Sequence, residues 1–164
     1  MTDTPRKSCS EIPAQQSDDV LALEEFLPYQ LALLAEQVSR SFSCIYAEQF
    51  GISIPEWRVV AILGQSGSAT AKTVGERSTM HKTKVSRAVA ALEARGYLDR
   101  SANPVDMRES FLHLTPSGRD MYVKLVPQAL AFTNSLRNAL DPGQQTALEQ
   151  IIKRLSDASE EFRC

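Results

Sequence analysis

The run KTKVSRAVAALEARG, from Lys82 to Gly96, decides the fold. Val85, Ala88, Val89 and Leu92 recur at i, i+3, i+4 and i+7, one face of an α-helix, and Gly96 supplies the C-terminal stop. At 100° per residue, Thr83, Ser86, Arg87, Ala90 and Ala94 fall on the opposite face. Apart from Arg87 that strip is short-chained, so the helix can sit close to another surface. Upstream, Thr70 is placed to N-cap a short helix through Val74 to about Arg77, which makes the order short helix, tight turn, longer helix. That is a helix-turn-helix pattern. Downstream, Tyr97–Arg100 and Phe111–Leu114 suit a two-stranded hairpin around a polar loop with Asn103 and Pro104, a wing.

Long helices flank this core. From Pro28, apolar residues at Leu31, Leu34, Ala35, Val38, Phe42, Ile45 and Tyr46 follow the helical period to an end near Gly51. Ser53 to Glu56 is a capping box that opens a second helix, about 54–64, carrying Trp57, Val60 and Ala61 inward. Gly64 to Ala69 reads as a turn. Thr115 and Pro116 start a helix with Met121, Leu125, Ala129, Phe132, Leu136 and Leu140 on one side, over about 24 residues. Asp141, Pro142 and Gln144 open a last helix with Leu148, Ile151, Ile152, Leu155 and Phe162 aligned. These stripes exceed what one winged helix covers, which predicts packing against a second copy. The expected organisation is a disordered tail over 1–19, a dimerisation helix over 20–50, a winged helix-turn-helix over 51–115 and C-terminal dimerisation helices over 116–164.

The chain has 164 residues and a net charge of −2, yet the charges are unevenly placed. Between Ala69 and Arg108 stand eight basic residues against four acidic ones, so a basic block lies inside acidic flanks. No apolar run approaches the roughly 18 residues a membrane span needs. The N-terminal segment, with Asp3, Arg6, Lys7, Glu11, Asp18 and Asp19, lacks the apolar stretch of a secretion signal, so a cytoplasmic protein is expected. Cys9, Cys44 and Cys164 are odd in number and far apart, which gives neither a disulfide framework nor a metal site. Cys9 falls in the tail, and Cys44 is expected to be a small buried apolar residue. His81 and His113 are tied to no Ser or Cys by a catalytic motif, and no glycine-rich phosphate loop occurs. Catalysis, metals and cofactors are therefore not expected.

A basic helix-turn-helix suits duplex DNA. Arg87 is long enough for a bidentate contact to guanine, Ser86 and Thr83 for bases or phosphate, and Lys82 and Lys84 for phosphate at the helix start. In the wing, Asp106 stands two residues before Arg108 and is placed to hold its guanidinium extended toward a minor groove. The plainer alternatives are a solvated helix face and a surface ion pair worth under about 1 kcal/mol.

The stretch Thr83 to Arg87, then Leu92 to Arg100, then Asp106-x-Arg108-x-x-x-Leu112-x-Leu114-Thr115-x-x-Gly118, resembles the winged-helix core of the MarR family of bacterial transcription regulators. The resemblance spans about residues 25–162. It implies a mainly α fold with a small β-wing, a homodimer made by the first and last two helices, and a pseudo-palindromic operator bound commonly as a repressor released by a small molecule. By position it makes Thr83, Lys84, Ser86 and Arg87 the recognition-helix contacts and Arg108, held by Asp106, the wing contact.

Two residues depart from the family pattern: His81 where Ser or Asp usually caps the helix, and Gly75 where Ala is common. His81 faces phosphate or is structural. The resemblance also implies an effector that is an aromatic acid or its coenzyme A thioester, bound near Tyr29, Arg40, Tyr46, Trp57 and Arg58. For Tyr46 and Trp57 the competing role is core packing, and for Arg40 an intersubunit ion pair. A thiol-based redox-sensing regulator and a winged-helix protein-interaction module are the alternative functions.

Overall fold

A computed structural model describes residues 20–104, 107 and 109–162. The tail over 1–19, with Cys9, lies outside the described residues, as do Asp106, Arg108 and Cys164. The elements are α1 Leu27–Phe50, α2 Ile54–Ser66, β1 Ser68–Thr70, α3 Ala71–Ser78, α4 Lys82–Ala94, β2 Leu98–Ala102, β3 Ser110–Leu114, α5 Pro116–Arg137 and α6 Pro142–Glu160. They form two compact units, Leu27–Phe132 and Met1–Phe26 with Thr133–Cys164.

Unit Leu27–Phe132 holds the hydrophobic core. The α4 stripe is buried as its period requires, with Val85, Ala88, Val89 and Leu92 all at 4% exposure or less. They pack with Val59, Val60 and Leu63 of α2 and Val74 of α3. In α2 the inward face is Val59, Val60, Leu63 and Gly64, while Ala61 and Trp57 are only partly buried. The capping box forms with Glu56 Oε2 accepting from Ser53 N at 2.6 Å and from Ser53 Oγ at 2.5 Å, so the hydroxyl donates to the carboxylate.

The expected turn at Gly64–Ala69 is instead the last residues of α2, one left-handed Gly67 and a short strand. β1 pairs antiparallel with β3, which also pairs with β2, so the wing is three-stranded in the order β1-β3-β2 rather than a two-stranded hairpin. Ala69 and Leu112, cross-strand partners, and Leu98 turn into the core.

The turn between α3 and α4 is sharp. Thr79 closes α3 in the left-handed region at φ 54°, sparsely populated for a residue with a Cβ. The Met80 amide donates to Gly75 O at 3.2 Å, and a Cβ on Gly75 would stand 3.3 Å from Met80 O. Glycine at position 75 leaves this turn free of a contact that a Cβ would make tight. His81 is the N-cap of α4, its Nδ1 accepting from Thr83 N at a long 3.4 Å.

α5 starts at the wing base. Thr115 N donates to Tyr97 O, Thr115 Oγ donates to Gly96 O, and Gly118 packs directly on the Tyr97 carbonyl. One turn on, Arg119 Nη1 donates to Gly64 O at 2.9 Å and lies over the Tyr122 ring, which rests on Gly64. Phe42 and Tyr46 are the buried residues of α1; Leu31 and Leu34 are exposed, because within this unit nothing covers that end of the helix.

In the other unit, α5 ends at Arg137, shorter than the expected stretch to Leu140. Asp141 and Gln144 form the capping box of α6, and Arg137 pairs with Glu149 at 3.1 Å. No residue of α6 is buried: Leu148, Ile151 and Ile152 stand 43–59% exposed.

Candidate nucleic-acid interface

α4 presents Lys82, Thr83, Lys84, Ser86 and Arg87 to solvent, with Ala90 and Ala94 further along the same exposed side. The side chains come together because the opposite face is fixed in the core by Val85, Ala88, Val89 and Leu92. Truncating Leu92 alone costs about 2–5 kcal/mol, so this orientation is strongly held. Met107, 95% exposed, marks the wing tip. The wing contacts expected at Asp106 and Arg108 lie outside the described residues.

The basic block is less cationic than its count. Arg100 Nε and Nη2 donate to Glu93 Oε1 and Oε2 at 2.6 and 2.9 Å, a bidentate pair from β2 to α4. The hydrogen bond to Arg100 holds the Glu93 carboxyl below its ordinary range, and the same bond raises Arg100. Arg95 is engaged by Gly51 O and Glu56. Arg77 donates to Gln65 Oε1 at 2.5 Å. Lys72, Lys82, Lys84 and Arg87 make no ion pair among the described residues, and three of these four belong to α4. An open cleft of about 770 Å³ lies beside them, between α3, α4 and the strands, and its lining includes Met80, Val85 and Val89 together with Lys72, Lys82 and Arg100 and the acids Glu76 and Glu109.

Of the residues expected around an effector, the structure brings three together. Tyr46 and Trp57 stack with ring centroids 5.7 Å apart, and Arg58 is close enough to act on the Tyr46 phenol electrostatically. Tyr46 is 1% exposed, and burial pushes its phenol up to about 12 despite Arg58. Phe42 and Phe132 complete the aromatic cluster, Phe42 edge-on to Tyr46 and Trp57 and stacked on Phe132. Phe132 lies on the apolar stripe of α5, and nothing in the local sequence ties it to these rings.

Tyr29, in the first turn of α1, is 38% exposed, and among the described residues no ring contact joins it to that cluster. Arg40 is exposed and pairs with Glu36 one turn earlier at 2.7 Å, so its ion pair is within the helix. Cys44 is exposed, contrary to its expected burial, because it lies on the side of α1 away from Phe42 and Tyr46; its Sγ donates to Arg40 O at 3.6 Å.

Residues 52–110 match the model of the MarR family. The uncharacterized HTH-type transcriptional regulator YkoM of Bacillus subtilis is 27% identical over 109 residues, 66% of this chain and 70% of the relative. Among solved structures, the MarR family transcriptional regulator SPO1453 from Silicibacter pomeroyi superposes with a TM-score of 0.73 at 28% identity, over 85% of this chain and 98% of its own. BpsR of Bordetella bronchiseptica, whose DNA binding is regulated by 6-hydroxynicotinic acid, shares the fold at a TM-score of 0.64 and 23% identity, over 77% of this chain and 98% of its own. The winged helix, its exposed cationic helix and these relatives agree: the segment over residues 52–110 matches the MarR family, and the fold around it is similar to that of MarR-family transcriptional regulators.

Proposed function

We propose that the protein is a repressor that binds a pseudo-palindromic operator as a homodimer and is released by a small aromatic acid or its coenzyme A thioester. The observation that carries the DNA half of this reading is the α4 strip: short side chains around Arg87, two lysines at the helix start, and a buried face that fixes all of them. In this reading Arg87 reads a base edge, Thr83 and Ser86 bond bases or phosphate, and Lys82 and Lys84 hold the backbone. In the same reading Arg108 is the minor-groove contact and Asp106 its partner, both outside the described residues. The uncovered apolar residues of α6 and of the start of α1 support a second copy as the partner. The effector half rests on Trp57 and Arg58, partly buried beside Tyr46, where a ring stacks and a carboxylate meets a cation. That BpsR is regulated by an aromatic acid supports the same class.

The test is selection of a duplex from a random pool, followed by binding across a salt series. Affinity falls by about 0.9 log unit per log unit of salt for each phosphate engaged. A flat salt response overturns the reading and favours a protein-interaction module. For the effector, Trp57 is the chain's single tryptophan, so aromatic acids and their thioesters that dissociate the duplex are expected to quench its emission. Release without any change in Trp57 places the effector elsewhere.

A further inference from the structure

Arg95 closes α4, and its guanidinium reaches the corner between α1 and α2. Nη1 donates to the carbonyl of Gly51 at 2.7 Å and stands 3.7 Å from Glu56 Oε1. Gly51 is the left-handed residue, φ 64°, that follows α1, and Glu56 lies in the first turn of α2. Glu56 is 5% exposed. Its Oε2 is satisfied by Ser53, but Oε1 is buried and has no hydrogen-bond donor among the described residues. Burying a carboxylate oxygen without a donor is costly, and the charge that faces it is that of Arg95. A surface arginine with one exposed partner would be loosely held; this one is drawn to a carbonyl and a buried carboxylate on one corner.

Arg95 lies eight residues past Arg87, roughly 12 Å along the axis, on the opposite end of α4 from Lys82 and Lys84. Over the roughly 20 Å length of the helix, a tilt of about 10° moves the far end by about 3 Å, more than a hydrogen bond tolerates. We propose that Arg95 is a positioning residue for DNA recognition: it fixes the tilt of α4 against the α1–α2 corner and does not touch the duplex. This inference rests on the DNA-binding reading of α4.

Arg95→Met, Arg95→Lys and Glu56→Gln are to be compared with the unmodified chain by fluorescence anisotropy on the selected operator and on a scrambled duplex, across salt, with melting curves in parallel. Arg95→Met is expected to lose about tenfold on the operator, with affinity for the scrambled duplex and the salt slope unchanged, and Arg95→Lys to recover most of the loss. A slope lower by about 0.9 would mean a phosphate contact and overturns the proposal. A lower melting temperature with unchanged operator affinity leaves a purely structural role and also overturns it. If Arg95→Met does not fold, Glu56→Gln carries the test, because it keeps the Gly51 bond and removes the attraction. A selective loss on the operator supports the proposal, and affinity equal to the unmodified chain overturns it. An unmodified chain that selects no duplex overturns the DNA-binding reading together with this one, whereas unaffected variants of a binding chain overturn this one alone.

Discussion

The carbonyl oxygen of Tyr97 occupies the position that a Cβ on Gly118 would take. Tyr97 opens the wing and Gly118 lies in the first turn of α5, so the two elements touch backbone to backbone, with Thr115 bonded to both Gly96 and Tyr97. The obstacle is main chain and has no rotamer to yield. Gly118→Ala is therefore expected to destabilise the fold by about 1–3 kcal/mol, read as a lower urea midpoint, despite the better helix propensity of alanine. A midpoint that rises would show that the contact relaxes.

Arg87 and Lys84 sit on one exposed side of α4 and should fail differently. Arg87→Ala is expected to relax the preference for one base pair at a cost of about 1–3 kcal/mol on the best operator. Lys84→Ala should weaken all duplexes alike and lower the salt slope by about 1. Binding competitions over single-position operator variants separate the two patterns, and loss of base preference in the Lys84 variant would reverse the assignment.

Glu93 and Arg100 give an acid-side signature. The folded-state Glu93 carboxyl titrates below its ordinary 4.5, so its contribution is present above that value and disappears as pH falls through the depressed one. Both side chains are partly exposed, which limits the pair to under about 1 kcal/mol. Glu93→Gln is expected to flatten the loss of stability below pH 4.5 and, by freeing the Arg100 charge, to strengthen non-specific DNA binding. Parallel melts and anisotropy measure both effects.

Tyr46 gives the alkaline counterpart. Burial holds its phenol protonated up to about 12, while an unfolded tyrosine ionises near 10. The folded chain then binds the extra proton between those values, and stability falls as pH rises through that window. Absorbance titration should show one of the four tyrosines ionising late, and Tyr46→Phe should remove that late step. A late step that survives the substitution belongs to another ring.

The exposed stripe of α6 tests the assembly. Ile152→Asp places a charge where the proposed homodimer needs an apolar contact, so sedimentation is expected to shift toward monomer and operator affinity to fall at least tenfold as paired half-site binding is lost. Unchanged sedimentation would exclude that face from the interface.

Period and punctuation in the chain locate the five longest helices, because each carries an uninterrupted apolar stripe and most carry a cap. β1 escapes such reading: Ser68, Ala69 and Thr70 are too few to show alternation, and they become a strand because β3 offers them a ladder. Charge counting along the chain overstates the cationic surface for a similar reason. Glu56, which engages Arg95, stands on α2 outside the basic block, and only folding brings it near. By contrast the Glu36–Arg40 pair is a helical i,i+4 neighbour, visible in the chain itself. The outward face of α4 was legible because its inward face is so regular; the aromatic cluster was legible at Tyr46 and Trp57 and hidden at Phe132.

β3 is hydrogen-bonded along both sides, to β1 and to β2. A strand so flanked holds its register from its two neighbours, so the sheet's pairing does not depend on what the wing's far end touches. A protein engineer altering the far end of the wing would therefore work on a base that is anchored twice over.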